Sequence, residues 1–559
     1  MILPLTKATT GGRVAAITIQ PDPKDAALEL LRTAVGSNVA NFRLGQWEAI
    51  EALLCRERLL VVQRTGWGKS VVYFLASRLL RQRGAGCTLL VSPLLSLMRN
   101  QIEAAKRIGV RAETINSENS AEWETIKRDL SQNRVDVLLI SPERLANDDF
   151  VRRCLLPIAG RAGLLVVDEA HCISDWGHDF RPDYQRIVRL LQALPKNVAV
   201  LATTATANRR VVADVEKQMG PNLRTMRGPL ARTSLSLQNI MLPAPEARMA
   251  WIADQVPNFA GTGIIYVLTK RDARTLAGWL QSRGIGAQPY HSGLKPHERL
   301  DREDALLQNR VKALVATVAL GMGFDKPDLG FVIHFQRPAS VIHYYQQVGR
   351  AGRALQQAHG ILLGGEEDDE IADYFIRTAF PTEEEIEEVL WVLRDSDGPV
   401  KLGALENRVN LSSRTVRDVL KFLLVESPSP IQKSEAGFVL NPVRWTIPSV
   451  RIGQITSLRR IEQKRMQEYM ATSDCLMQFL VRELDDRSAA RCGKCVNCRG
   501  QGLPTQPPEE LEKAALAFLS GDAFHIVPRQ RWPGASGFEG QRGMIAEELG
   551  TSPGRALCH

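Results

Sequence analysis

No uninterrupted run of about 18 apolar residues occurs in the chain, so hydropathy excludes a transmembrane helix and no membrane partner is expected. The N-terminal residues lack a basic stretch leading into an apolar core, and no secretion signal is read there. Cysteine is scarce: of nine, Cys55, Cys87, Cys154, Cys172 and Cys558 are scattered and four cluster late. That distribution argues against a disulfide framework. It suits a reducing compartment and one metal site, hence the cytoplasm, in association with the nucleoid if the protein is bacterial. There is also no internal repeat and no long low-complexity tract.

What is present is an ordinary globular composition, 44% hydrophobic and 24% charged, in 559 residues. That is too long for one core, so several domains are expected. A net charge of +9 leans towards a polyanionic partner such as nucleic acid, although many basic proteins bind none. Short apolar runs at Leu59–Gln63, Thr88–Ser92, Val135–Ser141, Leu164–Asp168 and Val198–Thr203 predict strands buried on both faces. A second set lies at Gly263–Thr269, Ala313–Thr317 and Phe331–Phe335. Helical stretches between them predict two α/β lobes with parallel sheets, whose chemistry sits at the carboxyl ends of the strands. Connecting segments around Arg227–Thr233 and Leu242–Glu246 divide the two sets. Past residue 365 come acidic stretches, then helix, turn, helix and a hairpin-like segment over 401–447, and a basic helix, RRIEQKRMQEYM.

Three segments carry chemistry. Thr65-Gly66-Trp67-Gly68-Lys69-Ser70 follows a buried-type strand and opens a helix, as a phosphate-wrapping loop does. Lys69 would reach the β- and γ-phosphates of ATP, and the Ser70 hydroxyl would ligate Mg²⁺. The strict loop pattern wants glycine at position 63, which is Gln63, so this segment alone is ambiguous. Asp168-Glu169-Ala170-His171 follows another such strand; Asp168 can hold Mg²⁺ and Glu169 can polarise the attacking water. From the second lobe, Arg350 and Arg353 stand three residues apart, expected on one side of a helical turn, as arginine fingers for transition-state charge. Each segment has a bland reading as a turn, a solvated loop or surface arginines. Together, in this order, they predict an ATP-driven motor.

Cys475, Cys492, Cys495 and Cys498 offer four thiolates, three of them in a CxxCxxC knuckle, which fits a closed structural Zn²⁺ site. Residues 401–447 fit a winged helix whose second helix, Ser412–Val425, would present Arg414, Arg417 and Lys421. Such modules contact duplex DNA, dock proteins or serve structure alone.

On these motifs the chain resembles a superfamily 2 helicase, and closely the RecQ family, over about 30–355 and again over 451–500. Phe42-Arg43-x-x-Gln46 resembles the motif ahead of the phosphate loop, whose Gln reads the adenine edge; the resemblance implies nucleotide binding by Arg43, Gln46, Thr65, Gly66, Gly68, Lys69 and Ser70. VSPLLSLMRNQ (91–101) and ISPERL (140–145) resemble segments touching the nucleic-acid backbone, and LATTATA (201–207) the one coupling hydrolysis to lobe movement. YHSGL (290–294) and ATVALGMGFDKPD (316–328) resemble lobe-two motifs. The stretch from Ile173 to Pro182 resembles the RecQ aromatic-rich loop, which senses single-stranded DNA. There Trp176 and Phe180 offer stacking platforms and Arg181 charge, with His178 between them.

The family implies two RecA-like lobes, 1–228 and 229–380, and a zinc-binding helical subdomain at 448–502. The winged-helix-like module falls at 381–447, and 503–559 are a linker and a tail of no assigned class. It also implies 3′-to-5′ movement on single-stranded DNA and unwinding of duplex or junction DNA in repair and recombination. Four departures stand out: Trp67 where the family has Gly, Gln347 for Glu, Ala354-Leu355 for Asp-Gly, and a winged helix before the zinc subdomain instead of after it. Two rivals remain, an RNA helicase and a nucleotide-switched protein that holds or remodels junctions without unwinding.

Overall fold

The computed structural model describes residues 22–93, 101–103, 105–174, 186–220, 222–321, 324–426, 428–486 and 488–521, with parts of 524–556. Seven parallel strands form the first sheet: β1 (Arg58–Val62), β2 (Thr88–Val91), β3 (Ala112–Thr114), β4 (Val137–Ile140), β5 (Leu164–Val167), β6 (Ala199–Thr204) and β7 (Leu223–Arg227). Their order is β3-β4-β2-β5-β6-β1-β7. The continuous apolar runs are the interior strands: every residue of β2, β4, β5 and β6 is buried. Helices cover both faces, so no face of these strands meets water and alternation is absent.

The second sheet holds β8 (Leu235–Met241), β9 (Thr262–Tyr266), β10 (Ala287–Tyr290), β11 (Ala313–Ala316), β12 (Leu329–His334) and β13 (Ala358–Gly364), ordered β10-β11-β9-β12-β13-β8 and parallel throughout. The chain passes between the lobes from Arg227 to Leu235. Among the described residues, no helix is long and apolar enough to cross a membrane.

Beyond the second sheet, helices Glu383–Arg394, Leu402–Arg408 and Ser413–Val425 precede a hairpin, β14 (Ile431–Ser434) and β15 (Gly437–Leu440). They share their own core, in which Ile386, Leu390, Leu405, Val416, Val419, Leu420 and Phe438 are buried. Val416, Val419, Leu420 and Leu423 recur at helical spacing, which turns Arg414, Arg417 and Lys421 to solvent as expected. The 23-residue helix Ser449–Ala471 then leads into the cysteine segment.

That segment is not a separate body. Tyr469, Leu476, Met477, Leu480 and Cys495 join the core of the second lobe. Its Leu484–Asp486 turn reaches the first lobe: Arg209 N donates to Asp485 Oδ2 (2.6 Å) and Arg227 Nη1 to the Leu484 carbonyl (2.8 Å). Leu230 N, between the lobes, donates to Asp486 Oδ2 (3.0 Å). The proline-rich segment after Leu503, read from sequence as a linker, is docked: Trp251 Nε1 donates to the Pro504 carbonyl (2.7 Å). Helix Glu509–Gly521 follows it onto the second lobe, where Phe518 meets Trp279.

Candidate functional site

The sheet order brings the site together. Strands β5, β6 and β1 are neighbours, so the DEAH segment after β5, the Thr-rich end of β6 and the phosphate loop after β1 share one edge. Helix Lys69–Gln82 opens in that loop, with Ser70 as its second residue. Its N-cap Gly68 has φ 98°, and a Cβ there would stand 2.7 Å from Gln46 Nε2. Glycine is needed for conformation and for approach.

Gln46 is buried and staples two loops. Its Nε2 donates to the Trp67 carbonyl (2.9 Å), and its Oε1 accepts from Arg43 N (2.9 Å). Arg43 in turn donates to the Gly66 carbonyl. Trp67, the departure from the family's glycine, is a buried strut: its indole N–H donates to the Leu44 carbonyl (3.1 Å). At 63, where the strict pattern has glycine, the Gln63 side chain fills space beside Gly228, and its backbone carbonyl accepts from Lys69 Nζ (3.1 Å).

Lys69, Asp168 and Glu169 are electrostatically coupled. Burial lowers the Lys69 pKa, and the charges of Glu169 and Asp168 oppose that shift. Asp168 is pushed up to about 6 by burial first and by Glu169 next, against the Thr203 hydrogen bond and Lys69. Thr203 Oγ1 donates to Asp168 Oδ1 (2.6 Å), and Gln101 Nε2 to Oδ2 (3.3 Å). Asp168 and Glu169 thus place two carboxylates beside Lys69, oxygen ligands of the kind a hard cation takes. Glu169 takes a left-handed backbone, φ 50°, a rare conformation for a residue with a side chain. His171 Nδ1 lies 3.0 Å from Thr204 Oγ1 and 3.4 Å from Glu169 Oε2.

The second lobe closes on this edge. Helix Val341–Val348 ends before the two arginines, so Arg350 and Arg353 sit in a glycine turn and not on a helical face. Gly349 permits the approach: Thr65 Oγ1 donates to its carbonyl (2.9 Å), and a Cβ there would stand 2.9 Å from that hydroxyl. Arg353 packs on Gly66 and pairs with Asp325 (2.5 Å). Arg350 points elsewhere, donating to the Phe324 carbonyl (3.1 Å). Gln346 Nε2 donates to Thr206 Oγ1 (2.8 Å), so the Thr-rich segment touches both Asp168 and the second lobe.

The structure thus gathers Arg43, Gln46, Thr65, Gly66, Gly68, Lys69, Ser70, Asp168, Glu169 and Arg353 around the phosphate loop and the end of β5, with Arg350 turned to the Phe324 carbonyl. Trp176, His178, Phe180 and Arg181 lie outside the described residues. Sequence reasoning missed Gln101 as a partner of Asp168. It also missed Arg232, a buried connector arginine bonded to both lobes.

The four cysteines converge. Their Sγ atoms all lie within 4.8 Å of one another, and Cys475 and Cys495 are 4.0 Å apart. Four thiolates at about 2.3 Å from a tetrahedral ion stand about 3.8 Å apart, so the cluster fits a metal with little movement. Backbone N–H groups of Cys492, Lys494 and Cys495 point at Cys475 and Cys492 sulfurs at 3.2–3.4 Å.

Two parallel-sheet lobes with a phosphate loop and acid pair facing an arginine turn define the motor core of a nucleic-acid helicase. The chain matches the DEAD/DEAH box helicase model over residues 43–215 and the helicase conserved C-terminal domain over 249–355. It is 32% identical over 478 residues to an "ATP-dependent DNA helicase RecQ" of Synechocystis, covering 82% of this chain and 95% of that one. It is 35% identical over 509 residues to the "Probable ATP-dependent DNA helicase RecS" of Bacillus subtilis, covering 88% and 96%. The chain belongs to the RecQ family of helicases. It spans about half the length of its nematode relatives. Among solved structures, the helicase MrfA bound to DNA superposes with TM-score 0.53 at 16% identity, over 78% of this chain and 64% of that one, a likeness of fold alone.

Proposed function

We propose that this chain is an ATP-dependent DNA helicase that moves 3′-to-5′ along single-stranded DNA and unwinds duplex or junction DNA in repair and recombination. The observation that carries the reading is the convergence of Lys69, the Asp168–Glu169 pair and Arg353 on one cleft from two lobes. Gln46 and Arg43 would bind the base end of ATP, and Thr65, Gly66, Gly68 and Lys69 its phosphates. Ser70 and Asp168 would hold Mg²⁺, which when bound neutralises charge on the phosphate oxygens. Glu169 would orient and deprotonate the attacking water, while Arg350 and Arg353 stabilise charge as the lobes close. Gln346 on Thr206 gives lobe movement a route to Asp168 through Thr203.

The names of the relatives support DNA as the track, and the proposed location is the cytoplasm, at the nucleoid if the protein is bacterial. The aromatic-rich loop, Trp176, His178, Phe180 and Arg181, would sense single-stranded DNA. Zn²⁺ would occupy the four cysteines as a structural ion, and 381–447 would be a winged helix whose Arg414, Arg417 and Lys421 meet phosphates. The test uses the purified chain with 3′-tailed, 5′-tailed and blunt duplexes beside Lys69→Ala. Unwinding of the 3′-tailed substrate alone, lost in the variant, is the expected result. Strong ATPase with no strand separation on any substrate would refute a helicase and favour a nucleotide-switched binding protein.

A further inference from the structure

Arg232 lies in the connector between β7 and β8, outside every motif named above, yet only 3% of it is exposed. Its Nη1 donates to the Gly349 carbonyl (2.7 Å), to Thr65 Oγ1 (3.1 Å) and to the Thr65 carbonyl (3.3 Å). Its Nη2 donates to the Ala351 carbonyl (2.9 Å). One guanidinium therefore holds the phosphate loop of the first lobe and the arginine turn of the second, from the segment that joins them. The Gly349 and Ala351 carbonyls follow the C-terminus of helix Val341–Val348, where the helix dipole favours a cation. They also flank Arg350 and lead into Arg353. Burial, together with the charges of Arg64, Arg353 and Arg43 and against Tyr345, brings the Arg232 pKa down to about 10, so it stays charged at neutral pH.

A structural arginine would usually be satisfied within one lobe. This one is divided between two bodies whose relative movement is the proposed power stroke, and its acceptors there are the two loops that must meet across ATP. A planar fork suits the task because one group must reach three backbone carbonyls and a hydroxyl in fixed directions; an ammonium cannot reach them all.

We infer that Arg232 is a positioning residue for ATP hydrolysis, setting the Arg350–Arg353 turn against the phosphate loop so that lobe closure delivers the fingers in register. The inference rests on the proposed hydrolysis of ATP between the lobes. Because the bracket acts on the closed arrangement, its loss weakens the transition state more than it weakens nucleotide binding.

The test compares the full chain with Arg232→Lys and Arg232→Gln. Measured are kcat and KM for ATP with saturating single-stranded DNA, the Kd of a fluorescent non-hydrolysable ATP analogue, and the melting temperature. For Arg232→Gln, kcat falls roughly 30- to 100-fold while KM and Kd stay within about threefold. Arg232→Lys, which keeps the charge and part of the bonding, recovers about a third of that loss on a logarithmic scale. If the glutamine variant does not fold, the same split between kcat and Kd in the lysine variant carries the test. A kcat within about twofold of the parent overturns the inference, as does a fall in kcat matched by equal losses in Kd and melting temperature. A parent chain without DNA-stimulated ATPase overturns the proposed function itself, a result distinct from an active parent with an indifferent Arg232.

Discussion

Thr203→Val tests the chemistry of the cleft at its most exacting point. The substitution nearly conserves volume and deletes one hydroxyl, whose 2.6 Å bond to Asp168 Oδ1 joins two buried groups. A hydrogen bond to a buried charge contributes about 1.5–3 kcal/mol, a factor of roughly 10 to 100 in an equilibrium. The bond favours the ionised carboxylate, and it opposes the burial and the Glu169 charge that already lift Asp168 to about 6. Removing it raises that pKa further. A carboxylate is protonated, and useless to a cation, below its pKa, so activity is lost on the acid side; a higher pKa moves that loss towards neutrality. The expected outcome is an acid limb of kcat/KM shifted up by at least about one pH unit. A Mg²⁺ requirement near pH 7 raised about tenfold goes with it, and Thr203→Ser behaves as the parent. The assay is steady-state ATP hydrolysis with single-stranded DNA from pH 5.5 to 8.5 at several Mg²⁺ concentrations. A Thr203→Val profile that overlays the parent at every Mg²⁺ level refutes the assignment of Asp168 as the cation-holding acid.

Two further predictions concern the second lobe. Cys495→Ser removes a buried member of the cysteine cluster, so bound zinc measured by mass spectrometry of the purified chain falls from about one per molecule to a small fraction. The second-lobe core loosens with it, because Cys495 packs there. His334 is buried beside Gln347 (Nε2 to Oε1, 2.7 Å), and burial lowers its pKa to about 4 from 6.5. The lowered value means that its contribution is complete above about 6.5 and is lost as pH falls through about 4, in total about 3 kcal/mol. Urea unfolding of the second lobe should therefore lose about that much more stability between pH 7.5 and 4 in the parent than in His334→Asn. Equal losses would sink the reading.

The strands legible in the sequence share one property. Leu164–Val167 and Ala199–Thr204 lie inside the first sheet and are buried on both faces, so they read as unbroken apolar runs. The edge strands β3, β7, β8 and β10 were not legible. In β7, for instance, Arg224, Thr225 and Arg227 are exposed, because an edge strand meets solvent and its pattern fades into that of a loop. The interior strand Ala358–Gly364 is not legible either, its apolar core being only a few residues long. The site shows a parallel contrast. Lys69, Asp168, Glu169, Arg350 and Arg353 are legible because the proposed chemistry asks for particular side chains at recognisable places, just past strands β1 and β5 and in the glycine turn after helix Val341–Val348. Arg232 is not, because it grips the carbonyls of Thr65, Gly349 and Ala351, and a carbonyl carries no residue identity. Trp67 and Gln347 looked like losses from a family pattern; each has a partner of its own, Leu44 and His334.

The place of residues 381–447 in the chain has a mechanical explanation. The chain leaves the second lobe through helix Asp368–Arg377 and returns along helix Ser449–Ala471, and the two helices lie together. Gln463 Nε2 donates to Asp373 Oδ1 (3.1 Å), Arg460 pairs with the same carboxylate, and Gln467 Nε2 donates to Asp369 Oδ1 (2.8 Å). Exit and entry points are therefore adjacent, the condition under which a folded insertion costs its host little, since loop closure depends only weakly on length. Residues 381–447 bring their own core, and the cysteine segment packs on the second lobe independently of it. A 23-residue helix is about 35 Å long, with Met466 and Tyr469 buried near its end and Val450 exposed near its start. The helix thus carries the chain from the module to the lobe over most of that length. The position of the module relative to the second lobe follows the direction of this helix, not the place of the module in the sequence.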